Sequence, residues 1–99
     1  KHALWENIEY FRKKLVEAGF NLKDSVGPII PIVVGDDKDA VRMQEALLQK
    51  GIFIQAIRPP TVPKGTSRLR LTIVKGLSKD ELDYAIFCII EAGKDIGLL

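Results

Sequence analysis

The chain has 99 residues, of which 46% are hydrophobic and 28% charged, with a formal net charge of +2. That suffices for one domain with one core and excludes a disordered segment; the charge is too small and too evenly spread for a nucleic-acid binder. No apolar run approaches the roughly 20 residues of a membrane-spanning helix, and one cysteine (Cys88) with one histidine (His2) supplies neither a metal cluster nor a disulfide nor a Cys/His nucleophile pair, which fits a reduced cytoplasmic setting.

From Ala3 to Ala18, Leu4, Ile8, Phe11 and Leu15 recur at helical spacing and predict a helix with one buried stripe, ended by Gly19, with Trp5 and Tyr10 at the edge of the core. The chain opens at Lys1 directly in this pattern, without a methionine, so a piece of a longer protein is expected. Asn21 to Pro28 reads as a loop. Ile29 to Val34 is short, apolar and β-branched, and predicts a strand covered on both faces, with Pro31 demanding an edge or a bulge. Gly35-Asp36-Asp37-Lys38-Asp39 starts a second helix. The neighbouring aspartates could suggest a divalent cation, but no further oxygen ligands follow at fixed offsets, and capping explains them better. Ala40, Met43, Gln44, Leu47 and Leu48 form its core stripe, and Gly51 closes it.

Ile52 to Arg58 predicts a second strand, with Ile52, Ile54, Ala56 and Arg58 on one face and Phe53, Gln55 and Ile57 on the other. A third strand runs from Arg68 to Val74, broken by Gly76. Ser78-Lys79-Asp80-Glu81 is a capping box that opens a last helix through Leu82, Ala85, Ile86, Ile89 and Ile90, with Cys88 as a packing residue. The fold class expected is α/β (α+β): a two-layer sandwich in which three helices cover one face of a three-stranded, mostly antiparallel sheet.

Between the second and third strands lies the most unusual stretch, Arg58-Pro59-Pro60-Thr61-Val62-Pro63-Lys64-Gly65-Thr66-Ser67. Its prolines fix φ and make a stiff connection. In Arg68-Leu69-Arg70-Leu71-Thr72-Ile73, the period of two puts Leu69, Leu71 and Ile73 inward and Arg68, Arg70 and Thr72 outward. A guanidinium on a strand is a rigid fork for a carboxylate or phosphate, so Arg70, with Arg58 and Thr61 near it, is the candidate anion site. The plain alternative is a set of solvated arginines on a sheet surface.

The run from Gly51 to Thr72, with its Arg-Pro-Pro-Thr-Val-Pro and Thr-x-Arg-Leu-Arg-Leu-Thr segments, resembles the C-terminal part of the α-oxoamine synthases, as does Pro28-Ile29-Ile30-Pro31-Ile32-Val33-Val34-Gly35-Asp36 upstream. The resemblance implies a fold-type I, pyridoxal-phosphate-dependent acyltransferase of which residues 1–99 are the small C-terminal domain. The large domain, with its Schiff-base lysine, lies outside this chain. It further implies a homodimer that condenses L-alanine with a pimeloyl thioester, carried on coenzyme A or a carrier protein, with loss of CO2. Arg70 would hold the alanine carboxylate, Arg58 and Thr61 would line the same cavity near the acyl chain, and Arg68 would serve a domain interface. Neither a catalytic nor a cofactor-binding residue is expected in residues 1–99. Two other readings remain: a sister enzyme that uses glycine, and a non-catalytic amino-acid-binding regulatory module in which Arg58 and Arg70 clamp an anion.

Overall fold

A computed structural model describes residues 2–23, 27–72 and 77–99, with side chains from Leu4 onward. Its elements follow the expected order: α1 (His2–Ala18), β1 (Ile29–Gly35), α2 (Asp37–Gln49), β2 (Gln55–Ile57), β3 (Ser67–Thr72) and α3 (Lys79–Asp95). The continuation of the third strand through Ile73 to Val74, its break at Gly76 and the middle of the loop after Asn21 lie outside the described residues.

Local chemistry sets the helix ends. Asp36 accepts the Asp39 N–H at 3.0 Å, so its carboxylate is committed to the start of α2. At the other end Gly51 takes φ 84°, and the N–H groups of Gly51 and Ile52 reach back to the carbonyls of Leu48 and Leu47. The capping box at α3 is reciprocal: Glu81 N–H donates to Ser78 Oγ at 3.1 Å and Ser78 N–H donates to Glu81 Oε1 at 2.8 Å.

Ile8, Phe11 and Leu15 of α1, Met43 and Leu47 of α2, and Leu82, Cys88 and Ile89 of α3 are all buried against the inward sheet residues Ile30, Ile32, Leu69 and Leu71. Two expectations about this core fail. Leu48 is 51% exposed and Trp5 55% exposed: each follows a leucine that packs on the core, and one step along an α-helix turns a side chain by about 100°, off the buried stripe.

The sheet order is β1-β3-β2, with both outer strands antiparallel to β3. Pro31 therefore sits on an edge strand, as its missing donor requires. β1 is not covered on both faces within this chain: Ile30 and Ile32 are fully buried, whereas Ile29 is 47% exposed and Pro31 and Val33 are half-buried. β2 is shorter than the run from Ile52 to Arg58 because Ile52 N–H is taken by the Leu47 carbonyl in the last turn of α2, which delays the pairing until Gln55.

Candidate functional site

β3 alternates as its sequence requires. Ser67, Leu69 and Leu71 are buried, Arg68 is half-buried, and Arg70 and Thr72 are exposed on the opposite face. Register then decides what Arg70 can touch: Pro31 faces it from β1 and Gln55 from β2. Proline offers the guanidinium no side-chain acceptor. Gln55 does, and Arg70 Nη2 donates to Gln55 Oε1 at 2.5 Å. The ion pairs among the described residues are Glu9–Arg12, Asp39–Arg42 and Lys79–Asp83, so no carboxylate described here neutralises Arg70. A concavity of about 310 Å³ opens beside it, lined also by Gln44, Phe53, Ile54, Gln55 and Thr72. The result is a full positive charge, held by the middle strand of the sheet, facing a hollow furnished with neutral amides and a hydroxyl.

Arg68, equally placed by parity, is differently engaged. Its Nε donates to the Thr66 carbonyl at 3.1 Å, and its register partners are Val33 and Ile57. That bond ties it to the backbone of the bend rather than to the open hollow, a distinction that alternation could not make.

Arg58 and Thr61 are exposed in the bend that follows β2. The Arg58 carbonyl accepts the Thr61 N–H at 3.1 Å across a cis Pro59–Pro60 peptide, and the Pro63 carbonyl accepts the Thr66 N–H at 3.1 Å. Arg58 lies three positions beyond Gln55, about 10 Å farther along the strand direction at a rise of about 3.4 Å per residue. Neither Arg58 nor Thr61 lines the hollow beside Arg70. Pro59, Lys64 and Gly65 of the bend instead face Gly35, Asp36 and Asp37 across a separate cleft of about 260 Å³. A larger apolar cleft of about 610 Å³, between β3 and α3, shares Phe53 and Thr72 with the Arg70 hollow. Gln55, the residue in contact with Arg70, was not singled out by sequence; its parity with Phe53 and Ile57 put it on the correct face, but only the register reveals its partner.

Residues 1–89 match the family model for aminotransferase class I and II. The chain belongs to this family. Its curated relatives include an 8-amino-7-oxononanoate synthase of Trichlorobacter lovleyi, 40% identical over 99 residues, which are 100% of this chain and 25% of that protein. A putative 8-amino-7-oxononanoate synthase of Geobacillus kaustophilus is 47% identical over 98 residues, covering 99% of this chain and 24% of that protein. The chain thus spans about a quarter of the length of the curated relatives it matches. Among solved structures, a serine palmitoyltransferase with a pyridoxal phosphate internal aldimine superposes with a TM-score of 0.89 at 27% identity, over 96% of this chain and 24% of that one. Within the class I and II aminotransferases, then, the described sandwich corresponds to a portion of a larger relative.

Proposed function

We propose that residues 1–99 form the small C-terminal domain of an 8-amino-7-oxononanoate synthase, and that Arg70 is its anchor for the carboxylate of the amino-acid substrate. The observation that carries this reading is the guanidinium of Arg70, without a carboxylate partner among the described residues, on the open face of β3 in a chain 40% to 47% identical to relatives of that name. The full-length enzyme is a cytoplasmic homodimer that joins L-alanine to a pimeloyl thioester of coenzyme A or a carrier protein, with loss of CO2. Its cofactor is pyridoxal phosphate, the group carried by the serine palmitoyltransferase relative.

The residues around Arg70 do not fit that cofactor. Among the described residues no lysine that could hold its aldehyde lines the hollow, and in this reading the large domain supplies the cofactor site. Held by the large domain, the cofactor would supply an electron sink for the reaction. The part left to this chain is positioning. A bidentate arginine fixes the carboxylate and thereby the rotation of the Cα substituents, which is the kind of contribution that orientation makes to rate. Arg58 and Thr61, in the exposed bend beyond β2 and outside the Arg70 hollow, belong in this reading to the acyl side of the site.

The test is turnover of L-alanine with pimeloyl-CoA by the full-length enzyme, which should be lost or severely weakened in Arg70→Ala through productive alanine binding. An unchanged alanine dependence in that variant sinks the assignment. A second reading, a synthase that takes glycine or serine in place of alanine, draws on the close backbone match to serine palmitoyltransferase. Comparing the three amino acids as substrates separates the two. The regulatory-module reading requires the 99-residue chain to bind an amino acid by itself, which titration with L-alanine decides.

A further inference from the structure

Arg70 is exposed, and an exposed arginine side chain ordinarily samples many rotamers and loses entropy when it is held. Here it is already held. Gln55 stands directly across the antiparallel ladder from it, and the Gln55 carbonyl oxygen accepts from Nη2. Cross-strand neighbours of this kind are the nearest residues on one sheet face, so the contact is built into the register and does not depend on a flexible loop.

Two features of the partner matter. First, Nη2 carries two hydrogens, one on each of the two-donor edges of the guanidinium, so a single acceptor leaves one complete edge free for a carboxylate. Second, the partner is neutral. A glutamate in the same place would accept the same hydrogen bond but would also cancel the charge that the substrate is meant to meet. We infer that Gln55 is a positioning residue for substrate recognition: it orients the Arg70 guanidinium while leaving its charge and one bidentate edge available to the amino-acid carboxylate. This rests on the carboxylate-anchoring reading of Arg70 given above, and it extends the site to a residue that acts through Arg70.

The side chain of Gln55 is exposed, so replacing it does not open the core. The full-length holoenzyme is titrated with L-alanine, glycine and L-serine, following the cofactor absorbance, and steady-state kinetics are measured with L-alanine and pimeloyl-CoA. Gln55→Glu keeps the shape and the acceptor but adds a charge, and should raise the KM for alanine by about tenfold or more, the scale of a lost charge-assisted contact, with the KM for the thioester within about twofold. Gln55→Ala removes the orientation and keeps the charge of Arg70, and should raise the alanine KM by a smaller factor, about threefold to fivefold, the scale of one neutral hydrogen bond. Gln49→Glu, the same exchange outside the hollow, controls for overall charge. An alanine KM in Gln55→Glu within about twofold of wild type, or equal changes for both substrates, overturns the inference while leaving the proposed reaction intact. A wild-type enzyme that answers to glycine or serine but not alanine overturns the proposed reaction, and the same variant comparison with that amino acid then decides the role of Gln55. A holoenzyme blind to all three overturns both.

Discussion

Gly93 of α3 stands against the ring of Phe20: a Cβ at position 93 would lie 2.7 Å from Phe20 Cζ and 2.8 Å from Cε1. Phe20 is itself 5% exposed, so its ring has little room to withdraw. Gly93→Ala would gain up to about 1 kcal/mol from helix propensity but must force apart a packed contact, and overpacking of this kind costs about 1 to 3 kcal/mol. The expected outcome is a net loss of stability, read as a lower Tm by thermal unfolding of the chain. An unchanged or higher Tm would show that the ring can move.

Ser67 gives the opposite expectation. It is fully buried, with an Oγ that has no hydrogen-bond partner among the described residues. An unsatisfied buried hydroxyl costs about 1 to 3 kcal/mol, so Ser67→Ala should be neutral or stabilising, with Tm raised by up to several degrees. A clear fall in Tm would mean that the hydroxyl is satisfied after all.

Asp83 of α3 accepts a hydrogen bond from Tyr10 Oη and one from Lys79 Nζ at 3.1 Å, which links α3 to α1. The tyrosine hydrogen bond first, and the lysine second, hold its carboxyl below the ordinary value of 3.8; Lys79 is raised above 10.5, chiefly by its hydrogen bond to Asp83. A depressed carboxylate contributes stability that is present above its unfolded pKa and lost as pH falls through the folded value. A raised lysine contributes stability that is present below 10.5 and lost as pH rises through its folded value. The Tm difference between wild type and Asp83→Asn should therefore be constant from about pH 5 to pH 9 and shrink below about pH 3.8. Because the cluster is exposed the difference should be small and reduced by salt. A difference that stays constant down to pH 2 would exclude the carboxylate as its source.

Leu69 and Leu48 test the boundary of the core. Leu69 is 0% exposed in the middle strand, and Leu69→Ala should cost about 2 to 5 kcal/mol, enough to leave a domain of this size barely folded. Leu48, at 51% exposure, should tolerate glutamine within about 0.5 kcal/mol. Equal losses in chemical denaturation would mean that the exposed face of α2 is covered in solution.

Arg70→Lys separates charge from geometry in the full-length enzyme. The lysine keeps the charge but loses the planar fork, so the alanine KM should rise by about tenfold, less than in Arg70→Ala. A lysine variant as good as wild type would argue for simple charge attraction at this position.

The features legible in the sequence were those encoded locally. Asp36, Ser78 with Glu81, and Gly51 act within one turn of themselves, and both ends of α2 and the start of α3 follow from them. The inward and outward rows of β3 followed from strict alternation between Arg68 and Thr72. What was hidden depends on distant partners. The pairing of Gln55 with Arg70 is fixed by the length of the bend between the strands, and the closeness of Gly93 to Phe20 by how α3 lies over the end of α1. The exposure of Leu48 and Trp5 was not hidden in this way, since each stands one residue, about 100°, round its helix from a core-facing leucine. Arg58 and Arg70 look close when written out, but antiparallel register sets Arg58 well past the pair that faces Gln55.

The strand order carries one more implication, for biosynthesis. β1 and β2 are each bonded to β3 and lie on opposite sides of it, so neither has a ladder until Ser67 to Thr72 has been made. A nascent chain or a truncation that stops within the proline bend holds two unpaired edges, one of them the run Ile-Ile-Pro-Ile-Val-Val, in which the lone Pro31 is the only residue that resists adding to a foreign sheet. The segment that bears the guanidinium is also the keystone of the architecture, so a chain that has closed its sheet has necessarily installed Arg70.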